Sequence, residues 1–194
     1  MSERSLNIGL RRAWIGALAI AGLLMAVSLA SQPVAATSVI VRHYLVGTDP
    51  LCELARTACP AIAKADNGDK VEITGDGDFR PAGKKLDGAG TFVHKHGGRV
   101  LASGTWEAVR LISFVSYGSG SVQLLPPEFE GGLAVMSVHL TTTNGAKLDG
   151  ILAVECTLGD SIPVGAEEGV TLSIPGLIDF DEKVSGLTLF ITQV

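Results

Sequence analysis

Two histidines one residue apart, His94 and His96 in "GAGTFVHKHGGRVLASGTWEA", have the type and spacing that come nearest to a chemical site in this 194-residue chain. Side chains two apart on a β-strand share a face at roughly 6–7 Å, so two neutral imidazoles placed this way can ligate one metal ion. His139 in "VMSVHLTTT" offers a third. Three histidines on zinc or copper leave one coordination position for a water of lowered pKa, which could act as a nucleophile. Glu107 is the candidate base or outer hydrogen-bond acceptor for that water. The competing expectation is that these are polar residues on the wet face of a hairpin. Arg99, just past the turn, weighs for it by placing a cation where a metal would sit.

The strands that must position these residues are set by Gly97-Gly98, a two-residue hairpin signal between two strand-like runs. The simple register places His96 opposite Arg99, Lys95 opposite Val100, His94 opposite Leu101 and Val93 opposite Ala102. It gives a core face of Val93, Val100, Ala102, Trp106 and Ala108. The other face carries Phe92, His94, His96, Arg99, Leu101, Ser103, Thr105 and Glu107. His139 alternates with Ser137 and Thr141, against an apolar set of Met136, Val138 and Leu140. Trp106 and Tyr117 are candidates to line a ligand groove, although strand aromatics more often fill a core.

The "HKH" pair with a later histidine resembles the His-x-His plus third-histidine pattern of alpha carbonic anhydrases, and "GAGTFVHKH" resembles the first half of a cupin motif. Each likeness covers only a few residues. No glutamate follows His96 where the cupin pattern has one, and His139 lies too far along for the carbonic anhydrase pattern. Four histidines are too few for copper-zinc superoxide dismutase. Carboxylate pairs for glycoside chemistry could come from Glu128 with Glu130 or Glu167 with Glu168, all beside Gly or Pro in loops. Acidic oxygens in "DNGD" at 66 and "DGD" at 76 could hold calcium, but neither completes the helix-loop-helix calcium pattern. "YGSGS" around Ser119 lacks a nucleophile elbow, and no glycine-rich phosphate loop opens a helix.

Arg4, Arg11 and Arg12 precede an uncharged apolar run from Ala13 to about Ala30, followed by small-residue cleavage sites at Ser28-Leu29-Ala30 and Val34-Ala35-Ala36. The order is that of an export signal, and Arg11-Arg12 resembles the twin-arginine type. The expected organisation is a cleaved signal over residues 1–36 and a single domain over 37–194, secreted, periplasmic or at the cell surface. A retained anchor is the alternative, since the run is about as long as the shortest spanning helix. Without residues 1–36 the acidic excess is about seven, which argues against nucleic acid and anionic membrane as partners. No stable membrane insertion is expected once the signal is removed.

Beyond the signal, β-branched and aromatic runs separated by Gly-Gly, Asn-Gly and Pro-Pro turns predict an all-β fold. We expect an antiparallel β-sandwich or small β-barrel of about eight strands. One short helical insert after the first strand is predicted over "DPLCELARTACPAIAKADNGD", where Asp49 can cap and Pro50 open a helix. Three cysteines in an exported chain suggest one disulfide. An unbroken helix would hold Cys52 and Cys59 about 10 Å apart at ~1.5 Å per residue, so their bridge requires a break, which Pro60 can supply. A bridge from either to Cys156 remains the alternative. "GDGDF", "GAGTF" and "SGTW" each place a glycine two residues before an aromatic, as neighbouring strands of a meander with small-residue bends.

Three functions are then open. The chain is an exported non-enzymatic domain that binds an unknown small molecule or assembles with itself, with no cofactor; or it is a zinc or copper enzyme or carrier using His94, His96 and His139; or it is a ligand-binding barrel similar in size and strand number to allene oxide cyclase and dirigent-like barrels.

Overall fold

The computed structural model describes residues 40–193; the export segment and its cleavage sites lie outside the described residues. The strands are β1 (Val41–Val46), β2 (Ala61–Lys64), β3 (Lys70–Arg80), β4 (Lys85–His96), β5 (Arg99–Ser119), β6 (Phe129–Thr142), β7 (Lys147–Cys156), β8 (Gly169–Ile174), β9 (Ile178–Phe180), β10 (Glu182–Ser185) and β11 (Thr188–Gln193). The chain is all-β, as the β-branched runs predict. The helical insert expected after β1 is not formed. Its place is taken by one 3-10 turn, Leu51–Glu53, and by β2. Ala61 and Ala63 are buried while Ile62 and Lys64 are only partly covered. Pairing with β3 therefore imposes a period of two on alanines whose own preference is helical. Cys52 and Cys59 form a disulfide with Cα atoms 5.2 Å apart, a distance no unbroken helix allows, and Cys156 is a buried free thiol.

All pairings are antiparallel. Following them from β1 through β3, β4, β5, β6 and β11 leads back to β1. A second path leaves β6 through β7 and β8 to β9, and the chain passes Asp181 into β10, which pairs β2 and so returns to β3. β3 serves both paths by length: Lys70–Ile73 pairs β2 and Gly75–Phe79 pairs β1. β6 divides in the same way between β11 and β7. The 21-residue β5 shifts register three times against β6, and such bulges bend a strand and increase its twist. Among the described residues, the strands with a single pairing partner are β9 and β10, three and four residues long.

Ala134, Met136, Val138 and Leu140 are all buried, two residues apart along β6, and Leu152 and Val154 of β7 lie opposite Met136 and Ala134. A slip of one residue would turn this row to solvent, at ~1.5–3 kcal/mol for each large side chain. The glycine-before-aromatic echo also finds its cause. A Cβ on Gly88 would lie 2.0 Å from the Tyr44 hydroxyl, and one on Gly90 would lie 1.8 Å from the Thr74 carbonyl oxygen and 2.6 Å from Trp106 Nε1. The glycines of β4 are the floor on which two buried rings rest.

Candidate functional site

The β4–β5 hairpin keeps the expected register only at its tip. His96 faces Arg99 and Lys95 faces Val100, but His94 faces Ala102, because Leu101 is bulged out and half exposed. Every later residue of β5 is thereby displaced by one against β4. His94 shares the inward face with Phe92 and Ala102 of the hairpin and with Val71 and Ile73 of β3, rather than the polar face predicted for it. Val93, expected inward, stands between Glu72 and Ser103 on the outward face.

His94 therefore becomes part of the wall of a partly enclosed cleft of about 320 Å³. Val71, Phe92, Ala102, Leu148, Leu172, Ile174, Leu177, Ile178 and Phe180 supply an aliphatic and aromatic lining, and Asn67, Asp69, His94 and Thr142 its polar groups. The His94 ring meets Phe180 edge-on with centroids 5.2 Å apart. The volume lies at the small end of the ~300–1,000 Å³ typical of small-molecule sites.

Asp69 draws the two histidines together. The turn before β3 fixes it, with the Asp69 backbone N–H donating to Asn67 Oδ1 at 3.0 Å and its carbonyl accepting from Ala65 N–H at 2.8 Å. Asp69 is 5% exposed; His94 Nε2 lies 2.7 Å from Oδ2 and His96 Nδ1 lies 2.5 Å from Oδ1. A carboxylate can only accept, so each of these ring nitrogens carries the proton. The hydrogen bond from His96, then that from His94, hold the Asp69 carboxyl below its ordinary value. The sequence reading weighed Asp69 only as a calcium oxygen in "DNGD". The signal that could have found it is the β3–β4 register, which sets Lys70 opposite Lys95 and so brings position 69 beside His96.

His139 is not brought to this pair. It stands between Glu107 of β5 and Asp149 of β7, with Nδ1 2.6 Å from Asp149 Oδ1 and its side chain 62% exposed. Five residues of unbroken register against β4 separate Ala102 from Glu107, an odd number, so Glu107 and His139 occupy the opposite face from His94. Among the described residues, no three His, Cys, Asp or Glu side chains form a group that could hold a metal.

Trp106 and Tyr117 are interior residues rather than a groove lining. Trp106 is 2% exposed and donates from Nε1 to the Thr74 carbonyl at 3.0 Å; Tyr117 is 3% exposed and donates to Glu155 Oε1 at 2.6 Å. Of the carboxylates weighed for glycoside chemistry, Glu130 and Glu168 are fasteners and Glu128 and Glu167 are exposed. Glu130 accepts from Arg42 at 2.7 and 3.0 Å, from Ser116 and from Thr192, joining β1, β5, β6 and β11. Glu168 accepts from the backbone and hydroxyl of both Thr157 and Thr188. Glu155, beside it, is paired with Lys183. Asp78 of the second acidic stretch is 2.9 Å from His43 Nδ1.

A larger depression of about 470 Å³ flanks the β3–β4 turn, but it is open and lined by Asp78, Arg80, Lys84, Lys85 and Asp87. Exposed mixed charge is an ordinary solvated surface. The smaller cleft combines an apolar wall with converging polar groups, which is the chemistry of a binding site. Compared with known proteins, the chain matches no family model, no curated protein and no solved structure.

Proposed function

We propose that this chain is an exported, non-enzymatic β-barrel domain that holds a small, mainly apolar ligand in the cleft between β3–β4 and β7–β9. The observation that carries the reading is the wall of that cleft: nine apolar residues with Asp69 and His94 among them. One closed pairing circuit, and a second path that closes only through the chain at Asp181, support the barrel, since closure is how an antiparallel sheet removes its edges. Strand addition between copies needs a long unpaired edge, and β9 and β10 are too short to offer one. This sets ligand binding ahead of self-assembly. The Cys52–Cys59 bridge and the basic, apolar and small-residue order of residues 1–36 support export. A binding role fits better than a catalytic one because Glu130, Glu168 and Glu155 are committed to structural hydrogen bonds.

The test is titration of the full chain with N-phenyl-1-naphthylamine, a probe that fluoresces in apolar surroundings. A saturable rise at about one probe per chain is expected. Ala102→Trp, which sets an indole in the cleft at a strand position that tolerates aromatics, weakens it roughly tenfold or more. A non-saturating titration, or equal affinity in Ala102→Trp, would overturn the proposal.

A further inference from the structure

We infer that the cleft is built for an uncharged apolar molecule bearing one hydroxyl group, whose proton is donated to Nδ1 of His94. This rests on the cleft being the binding site and names the chemistry it selects. The anionic carboxylate of Asp69, 2.7 Å from Nε2 of His94, holds a proton on that nitrogen. An imidazole with its one proton on Nε2 offers Nδ1 as a lone-pair acceptor. Among the described residues it has no hydrogen-bond partner, and the neighbouring His96 is engaged with Asp69.

Among the described residues, no buried side-chain nitrogen or oxygen lacks a partner. The unpaired Nδ1 therefore keeps accessible surface, and His94 is one of the residues that line the cleft. An acceptor in a mainly apolar wall, whose other polar groups are Asn67, Asp69 and Thr142, is complemented by a hydrogen-bond donor on the ligand. A hydroxyl supplies it without charge. A ligand carboxylate has no proton to give and would meet the Asp69 charge, so it is disfavoured twice. A ligand ammonium can also donate and would meet the Asp69 charge, but both Asp69 oxygens already accept from histidines and the ammonium must shed its water into a mainly apolar cleft.

The experiment is calorimetric titration of the full chain, near neutral pH, with naphthalene, 2-naphthol, 2-naphthoate and 2-naphthylmethylammonium. These share one apolar body and differ in the polar group. We expect 2-naphthol to bind roughly five- to tenfold more tightly than naphthalene, the return of one hydrogen bond, and both charged ligands to bind more weakly than naphthalene. His94→Phe keeps an aromatic ring against Phe180 and removes the acceptor. It should bind naphthalene within about twofold of the parent chain and lose the preference for 2-naphthol. Equal binding of naphthalene and 2-naphthol, tighter binding of either charged ligand, or a preference that survives in His94→Phe overturns the hydroxyl assignment and leaves the cleft reading standing. Failure of all four ligands to bind overturns both. The four-ligand comparison on the unaltered chain stands whether or not the variant folds.

Discussion

At the scale of single residues, several of the chemistry-bearing side chains are fasteners. Glu130 is the clearest fastener. Burial pushes its carboxyl up, but the hydrogen bonds from Arg42, Ser116 and Thr192 outweigh this and leave it below the ordinary 4.5. A depressed folded value means that the stability it contributes is full above pH 4.5 and is lost as the pH falls through the folded value. Glu130→Gln should therefore lower the stability plateau near neutral pH by about 3 kcal/mol, because it strands a mostly buried Arg42, and should flatten the acid limb. Urea unfolding across the acid range checks both. Glu168 has the opposite sign. Burial raises its carboxyl, so its contribution declines as pH rises from the unfolded value through the raised folded one. Gly90→Ala forces a methyl to 1.8 Å from the Thr74 oxygen and should cost about 3 kcal/mol, the upper end for overpacking; thermal melting measures it. The glycines were legible as bends, but the rings lying over them were not, since that contact joins β4 to β1 and β5.

At the scale of elements, the hairpin shows what sequence could and could not supply. The Gly97-Gly98 turn and both strands were readable from local pattern. The bulge at Leu101 was not, and one extra residue on β5 was enough to exchange the faces assigned to His94 and Val93. The cause lies in the neighbouring β3, where Val71 and Ile73 draw Phe92 and His94 inward. Two changes at one position separate these effects. Leu101→Ala, on a half-exposed side chain, should change stability by less than about 0.5 kcal/mol. Deleting Leu101 should leave cooperative melting intact, because Lys95 still faces Val100 and His94 still faces Ala102 once the extra residue is gone, whereas in an unbulged hairpin the same deletion would turn Trp106 to the other face. Loss of cooperative melting in the deletion contradicts the bulge. The Cys52–Cys59 bridge was readable from the need for a break, whereas β2 was hidden in a helix-forming composition. Cys52→Ser with Cys59→Ser should cost about 2–2.5 kcal/mol by loop-closure entropy for so short a loop, measured by denaturant unfolding under non-reducing conditions.

At the scale of the whole molecule, the fold depends on non-local closure. β11 joins β1 to β6 across most of the chain length, and Phe190 on it packs edge-on against Phe79 and Phe114 with centroids 5.8 and 5.3 Å away. Ending the chain at Ser185 removes β11, so the remainder should fail to melt cooperatively; a soluble, cooperatively melting product would contradict the closure. The all-β class could be read from patterning because most strands carry their own period, whereas their pairing order could not. The cleft could not, since Asp69, His94, Leu172 and Phe180 come from four segments that only closure brings together. The measurement that tests the central claim most directly is therefore residue-resolved: nuclear magnetic resonance shift mapping of the isotope-labelled protein with 2-naphthol. The account expects saturable shifts confined to the cleft, at Val71, Phe92, His94, Leu172 and Phe180. Shifts scattered over the surface, centred on the groove of His139 and Asp149, or absent altogether would contradict it.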